Sequence, residues 1–297
     1  MINGIINIYK VSGFTSHDVV AKMRGMLRQR KIGHTGTLDP DAEGVLPVCL
    51  GSATKLCDLL TEKDKEYRAV LLLGRTTDTQ DIGGKIIEER EPVGDEALLR
   101  SVIRSFEGEY MQLPPMYSAL KVGGKKLVDL AREGKEIRRE RRKVHIFSVQ
   151  IEKIAFPRVE LSVCCSKGTY IRTLCHDIGE KLGCGGCMEK LTRTRSGRFR
   201  MEDAIRLADL EKMSAEDIEG ALLRPEDYFS EFEALFLREE YDKYGLNGNK
   251  LKPGFLQAKI MQKDGDSFRI YDSKRNFLGI YRYFSEEDLL KPVKLFL

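Results

Sequence analysis

The chain has 297 residues, enough for one large domain and one small one, and 41% of them are apolar, which supplies a sizeable core. No apolar run approaches the ~18 residues of a membrane span, and the opening Met1-Ile2-Asn3-Gly4 lacks the charged, cleavable pattern of a secretion signal, so a cytoplasmic protein is expected. Seven cysteines, an odd number in a chain this long, read as reduced thiols and argue against a disulfide scaffold.

Residues 4–9 form a short apolar run that predicts a strand. Ser16 then stands as an N-cap before the helical stripe Val19, Val20, Met23, Met26 and Leu27. Residues 31–55 carry too many Gly and Pro for one regular element and predict an extended loop entering a strand at 45–50. A strand follows at 67–73, and Leu98, Leu99, Val102, Ile103 and Phe106 mark an amphipathic helix. Pro114-Pro115 opens a Gly- and charge-rich excursion, about 115–143, expected to be mobile rather than core. Strands at 144–154 and 159–165 precede a helix over about 170–182, supported by Ile171, Leu174, Cys175, Ile178 and Leu182. Residues 1–228 read as the main domain. From 229 to 297 the pattern is β-rich, with strands at 265–271 and 277–284 joined by the turn-rich 272–276.

The net charge of +4 is unevenly spread. Residues 121–143 hold ten Lys/Arg against four Asp/Glu, among them Lys121, Lys125, Lys126, Arg138, Arg139, Arg141 and Arg142. Residues 190–200 hold five basic groups, including Arg193 and Arg195, and no acid. The remainder is left at −7. Two basic segments on an otherwise acidic chain are the footprint of a polyanion partner, although solvated faces produce the same count.

The most informative stretch is Gly33-His34-Thr35-Gly36-Thr37-Leu38-Asp39-Pro40. Its glycines permit unusual backbone angles and close approach to a ligand, and Pro40 biases Asp39 toward extended backbone. A carboxylate held on such a loop suits nucleophilic or electrostatic work at a sugar carbon. Asp-Pro also initiates ordinary turns. Read alone, Tyr67 fits strand packing and Arg172 a solvated helix face. Cys184 and Cys187 have C-x-x-C zinc spacing, with Cys175 and His176 upstream. Adjacent residues on a helix point about 100° apart, so the four do not converge and no metal is expected.

The run GHTGTLDPDAEGVLPVCLGSATK from Gly33 closely resembles the catalytic motif of bacterial tRNA pseudouridine-55 synthases, the TruB family. Further matches follow in the family's order: DKEYRAVLLLGRTTDTQDIGGKI from Asp64, PPMYSALKVGGKKL from Pro114 and SKGTYIRTLCHDIGEKLGCGG from Ser166. They span residues 4 to about 200. One departure is Val11, where the family usually has proline after the lysine that matches Lys10.

The resemblance implies an α+β pseudouridine synthase fold with a central, mainly antiparallel mixed sheet and a small β-rich C-terminal domain of PUA type. It implies that Asp39 is the catalytic aspartate, that Tyr67 stacks on the target base and takes part in proton transfer, and that Arg172 pairs with the aspartate. His34 would enter the T loop in place of an extruded nucleotide, Tyr170 would flank the base, and Leu191 would give the pocket an apolar contact. Lys10 is carried over as a substrate contact, and 115–143 as an RNA-gripping thumb. The implied partner is tRNA, bound through its T-arm stem-loop by a monomer with no cofactor, metal, membrane or obligate protein partner. Attack of Asp39 on the sugar, attack on the base and steering of sugar deprotonation stay open; each needs an ionised carboxylate, which a guanidinium neighbour favours. Two other functions fit less of the sequence: pseudouridylation of another RNA, and RNA binding or tRNA refolding with catalysis secondary.

Overall fold

The computed structural model describes residues 2–92, 94–258 and 263–297; Met1, part of the opening read above, lies outside them. Strand β1 (Gly4–Lys10) is almost wholly buried and leads into helix α1 (Ser16–Met26). The cap of this helix is Thr15, not Ser16. Thr15 Oγ1 accepts from the Asp18 N–H at 3.0 Å and the Asp18 carboxylate accepts from the Thr15 N–H at 2.8 Å, so two open donors are satisfied reciprocally. After β2 (Ile32–His34) and β3 (Glu43–Leu50), the short helix α2 (Cys57–Thr61) leads to β4 (Lys65–Leu73). A hairpin of β5 (Arg75–Thr77) and β6 (Ile86–Glu89) precedes α3 (Glu96–Arg104), which buries Leu99, Val102 and Ile103.

The segment expected to be a mobile excursion has a fold of its own. Beyond β7 (Gly108–Gln112), β8 (Lys121–Val122) and β9 (Lys125–Lys126) pair around Gly123 and Gly124, both at positive φ. That is the backbone a two-residue hairpin turn demands. Helix α4 (Leu127–Arg132) then anchors the segment by burying Leu127 and Leu130. The long strands β10 (Arg142–Ala155) and β11 (Arg158–Cys165), helix α5 (Ile171–Lys181) and strand β12 (Gly186–Ser196) complete the frame, followed by the short β13 (Phe199–Arg200) and β14 (Ile205–Arg206).

These strands form a ten-stranded sheet in the order β14-β1-β3-β12-β4-β11-β10-β7, with β13 on β12 and β2 on β3. The β1–β14 and β3–β12 pairs are parallel and the others antiparallel, giving the mainly antiparallel mixed sheet of an α+β fold. Helices α3 and α5 cover one half through Leu71, Leu99, Ile103, Leu174 and Ile178, and α1 covers the other through Val19, Met23, Ile6 and Val48. A separate four-stranded sheet, β15 (Glu233–Phe236), β16 (Ser267–Tyr271), β17 (Phe277–Phe284) and β18 (Leu289–Leu295), has its own core of Leu235, Ile270, Leu278, Tyr281 and Leu290. A third cluster joins the two sheets. Ile5, Val45 and Cys49 of the large sheet meet Phe229, Ile280 and Phe296 there, so the chain near Phe229 is a packed joint rather than a loose linker.

Candidate active site

The loop between β2 and β3 is held from several sides, and its glycines and proline alone do not fix it. The Leu38 N–H donates to Ser16 Oγ at 2.9 Å, which is the use found for the buried serine at the start of α1. Lys10 donates from Nζ to Pro40 O at 2.9 Å, Ala42 O at 2.6 Å and Val11 O at 3.1 Å. Its three ammonium donors are thereby all used. Lys10 was expected to touch substrate, but it is 0% exposed. It is a strut under the loop, and burial lowers its pKa to about 8 while Asp39 and Asp41 pull the other way. The rigidity that the family's proline would give is supplied here by these bonds and by the Gly13 N–H, which donates to Pro40 O at 3.0 Å.

Asp39 meets Arg172 of α5 directly. Nε lies 2.9 Å from one carboxylate oxygen and Nη2 3.3 Å from the other, a two-pronged contact that fixes the orientation of the carboxylate. The remaining donors go to Thr79 O at 3.1 Å, Asp81 Oδ2 at 3.3 Å and Tyr117 O at 2.9 Å. Of the five N–H donors of a guanidinium, the four on Nη1 and Nη2 are hydrogen-bonded and Nε lies in ion-pair contact with Asp39. This is why Arg172 can be 5% exposed on a helix whose arginine reads, in isolation, as a surface charge. The Asp39 side chain keeps 39% of its surface accessible, yet it is crowded by protein on its other sides. That burial raises its pKa; Arg172 and Lys10 pull it down, and Asp81 adds to the rise.

Tyr67 lies on β4 directly across from Val163 of β11 and Arg193 of β12. Burial raises its phenol pKa, Arg193 counters this, and Cys165 and Asp39 add to the rise. Leu191 is buried in the core cluster against which Tyr67 packs, opposite Ala69. Tyr170 caps α5 and is pinned at both backbone groups by Gln112, whose amide donates to Tyr170 O at 2.9 Å and accepts from its N–H at 2.8 Å. His34 ends β2, and its Nδ1 accepts from the Gly36 N–H at 3.3 Å. Burial lowers the pKa of its ring, with His17 and Arg193 adding to the fall, which favours the neutral imidazole.

The two basic segments separate here. Lys121, Lys125, Lys126, Arg138, Arg141 and Arg142 are exposed, with one Arg141 N–H given to Met111 O at 2.9 Å. Arg139 is half-buried and ties Pro114 O to Glu136. Arg193 and Arg195, grouped with them on charge alone, do not form a surface patch. Arg193 is 1% exposed. Arg195 bridges Asp64 and Glu66, both at 2.8 Å. Sequence reasoning also passed over Asp81 and Gln112. Asp81 sits within the DTQDIGG turn, where several acids offer no local cue to single it out.

Among the described residues no group of three or more His, Cys, Asp or Glu is arranged to hold a metal ion. No helix among them is long and apolar enough to cross a membrane. A groove of about 420 Å³ and mixed charge is lined by Glu66, Tyr67, Arg68, Gln150, Cys164 and Arg195; Asp39, Arg172 and Tyr170 are not among its lining residues.

Comparison with known proteins accounts for this arrangement. The model of the TruB family pseudouridylate synthase (N terminal domain) matches residues 24–171, and that of the tRNA pseudouridylate synthase B C-terminal domain matches 172–228. The tRNA pseudouridine synthase B of Lachnoclostridium phytofermentans is 48% identical over 307 residues, covering 100% of both chains. That of Alkaliphilus oremlandii is 45% identical over 295 residues, covering 99% of this chain and 97% of its own. Among solved structures, a chain of a Cbf5-Nop10-Gar1 complex superposes with a TM-score of 0.72 at 29% identity, over 99% of this chain and 85% of that one. A chain of an H/ACA RNP bound to a substrate RNA containing 2'-deoxyuridine gives 0.71 at 28%, with the same coverage. The chain belongs to the TruB family of pseudouridylate synthases.

Proposed function

We propose that the protein isomerises uridine to pseudouridine at position 55 in the T arm of tRNA, with Asp39 as the central carboxylate. The contact between Arg172 and Asp39 carries the reading: a partly accessible carboxylate oriented by a buried guanidinium that is itself held by Thr79, Asp81 and Tyr117. Its relatives named tRNA pseudouridine synthase B, matched end to end at 45–48% identity, support tRNA as substrate. The likeness to chains of H/ACA complexes, at 28–29%, gives weaker support to a guide-dependent target.

In this reading the target uridine leaves its stack before the glycosidic bond is reached, and His34, its imidazole favoured in the neutral form, fills the space left behind. The N1–C1′ bond breaks, the base turns, and C5 bonds to C1′; a proton leaves C5 and one is gained at N1. The detached base is caged by Tyr67, Tyr170 and Leu191, each aromatic stack contributing about 1–3 kcal/mol. Asp39 acts ionised. Burial opposes that state and Arg172 favours it, so this contact sets the pH range of activity. Tyr67 accepts the C5 proton as its phenolate, the phenolic proton having first passed to water. The exposed hairpin and helix at 121–132, with Arg138, Arg141 and Arg142, grip the phosphates, and the four-stranded C-terminal sheet serves as a PUA-like RNA-binding module. The protein acts as a cytoplasmic monomer without cofactor.

The deciding experiment incubates the protein with an unmodified tRNA transcript and maps pseudouridine by carbodiimide labelling and primer extension. A single stop at position 55 is expected. Modification elsewhere, or only with a guide RNA, would reject the assignment.

A further inference from the structure

Arg193 is among the largest fully buried side chains of the protein, and the reading above gives it no task. Arg172 and Arg195 each face carboxylates. Arg193 instead donates Nε–H to Val45 O at 2.7 Å and Nη2–H to Gly36 O at 3.2 Å, both neutral carbonyls. A charge withdrawn from water onto neutral partners costs free energy that an apolar chain of the same length would not. Packing alone does not explain it.

The surroundings of Arg193 do. Its backbone pairs in parallel with Gly44 of β3 and antiparallel with Tyr67 of β4. Gly44 is at φ +109°, and a Cβ there would come within 2.2 Å of Arg193 O, so the β3 and β12 backbones touch at this residue. Directly opposed residues of an antiparallel pair put their side chains on one face, which sets the guanidinium beside the Tyr67 ring. Gly36 belongs to the loop that carries Asp39. One buried side chain thus reaches the loop, β3 and the side of the proposed proton acceptor.

We propose that Arg193 is a positioning residue for the isomerisation: it fixes the Tyr67 oxygen relative to the Asp39 loop and sets a positive charge beside the phenolate that takes up the C5 proton and returns to phenol. This rests on the proposed function, in which Tyr67 is that acceptor. The electrostatics agree in sign, since burial raises the phenol pKa and Arg193 opposes the rise. The other groups facing this pair are Cys165 of β11 and Asp39, which raise the phenol pKa, and on the guanidinium's side Lys65, Lys10 and His34, each of which feels Arg193 as a like charge. Arg193 is the group that favours the anionic phenol here, against burial, Cys165 and Asp39, which hold the phenol pKa above its ordinary value.

The test is a double-mutant cycle in single-turnover kinetics on tRNA transcript, with tRNA affinity and thermal melting measured in parallel. Arg193→Lys should slow conversion about ten- to a hundredfold, within the range of a disturbed acid–base group, with affinity unchanged within about threefold. In the Tyr67→Phe background the same change should cost less than about threefold, because residues acting as one unit are non-additive. Arg193→Gln should slow the reaction further, and its rate should go on climbing to higher pH than the wild type, since the phenol has lost its cation; Arg193→Lys should restore part of the profile. An equal cost in both backgrounds would overturn the proposal. So would failure of both variants to melt cooperatively and bind tRNA, which would make Arg193 a packing residue. Wild-type protein that makes no pseudouridine would instead reject the proposed function.

Discussion

The two basic segments of this chain look alike by charge and have opposite fates in three dimensions. Between Lys121 and Arg142 the basic groups stand on a small hairpin, a short helix and the irregular stretch that follows it, none large enough to enclose them, and most remain exposed. Between Lys190 and Arg200 they alternate along β12 and β13, and the fold uses them one by one. Arg193 is buried and Arg195 bridges two acids, while Lys190, Arg198 and Arg200 stay exposed, Lys190 meeting Glu43 at 3.1 Å and Arg198 lying over the ring of Tyr228. A charge run in a strand is divided between two faces and offered to neighbouring strands; in a small protruding hairpin it stays in water. The first segment suits a polyanion, and the second organises the protein.

This contrast makes binding and chemistry separable, and the largest expected effect tests that. Asp39→Asn should remove all detectable pseudouridine while leaving tRNA affinity and its salt dependence intact, as measured by filter binding and single-turnover assay. The wild-type rate should fall on acidification, with its midpoint above the ordinary aspartate value, because burial raises the Asp39 pKa and the active form is the ionised one. A midpoint at or below the ordinary value would mean that Arg172 outweighs burial.

Tyr67→Phe should come next. It keeps the ring face and loses the hydroxyl, so affinity should hold while conversion falls at least about a hundredfold, the lower end of the range for acid–base groups. A near-normal rate, with Tyr67→Leu impaired, would leave the residue a stacking platform and move the proton elsewhere.

The thumb should respond in the opposite sense. Changing Lys121, Lys125 and Lys126 together to Gln should weaken binding and flatten the plot of log affinity against log salt by roughly 0.9 per lost phosphate contact, if the RNA duplex behaves as B-form DNA does. The bound complex should still convert at the wild-type rate. The smallest effect belongs to the second segment: Lys190→Gln with Arg198→Gln should leave that slope unchanged within about half a contact. A slope that falls as far as the thumb variant's would erase the distinction drawn above.

The reason the contrast was invisible in the sequence is physical. A count of Lys and Arg records charge but not the pleat, and Arg193 is one residue from Thr192 and Thr194, which gives no sign that it points inward. The strand at Phe277–Phe284 was legible because Asp272 and Asn276 close a turn before it, with the Asn276 N–H donating to Asp272 Oδ1 at 2.7 Å. The cap of α1 was misassigned by one residue because Thr15 and Ser16 are both competent caps, and only the reciprocal bond from Asp18 selects Thr15. Gly123-Gly124 was a readable turn signal, although the charge around it suggested a mobile segment. Asp39 and Arg172 were legible as members of a family motif. Their fork, with Thr79, Asp81 and Tyr117 behind it, depends on segments that lie 55 to 133 residues from Arg172 in the chain and meet only in the fold.

The packed joint between the two sheets bears on how the molecule unfolds. Ile5, Val45 and Cys49 close the back of the large sheet only because Ile280 and Phe296 cover them. Heating should therefore produce one melting transition and not two, since neither sheet can lose its order without stripping apolar surface from the other. A polypeptide ending at residue 228 would carry that uncovered face into solution, where its natural fate is self-association.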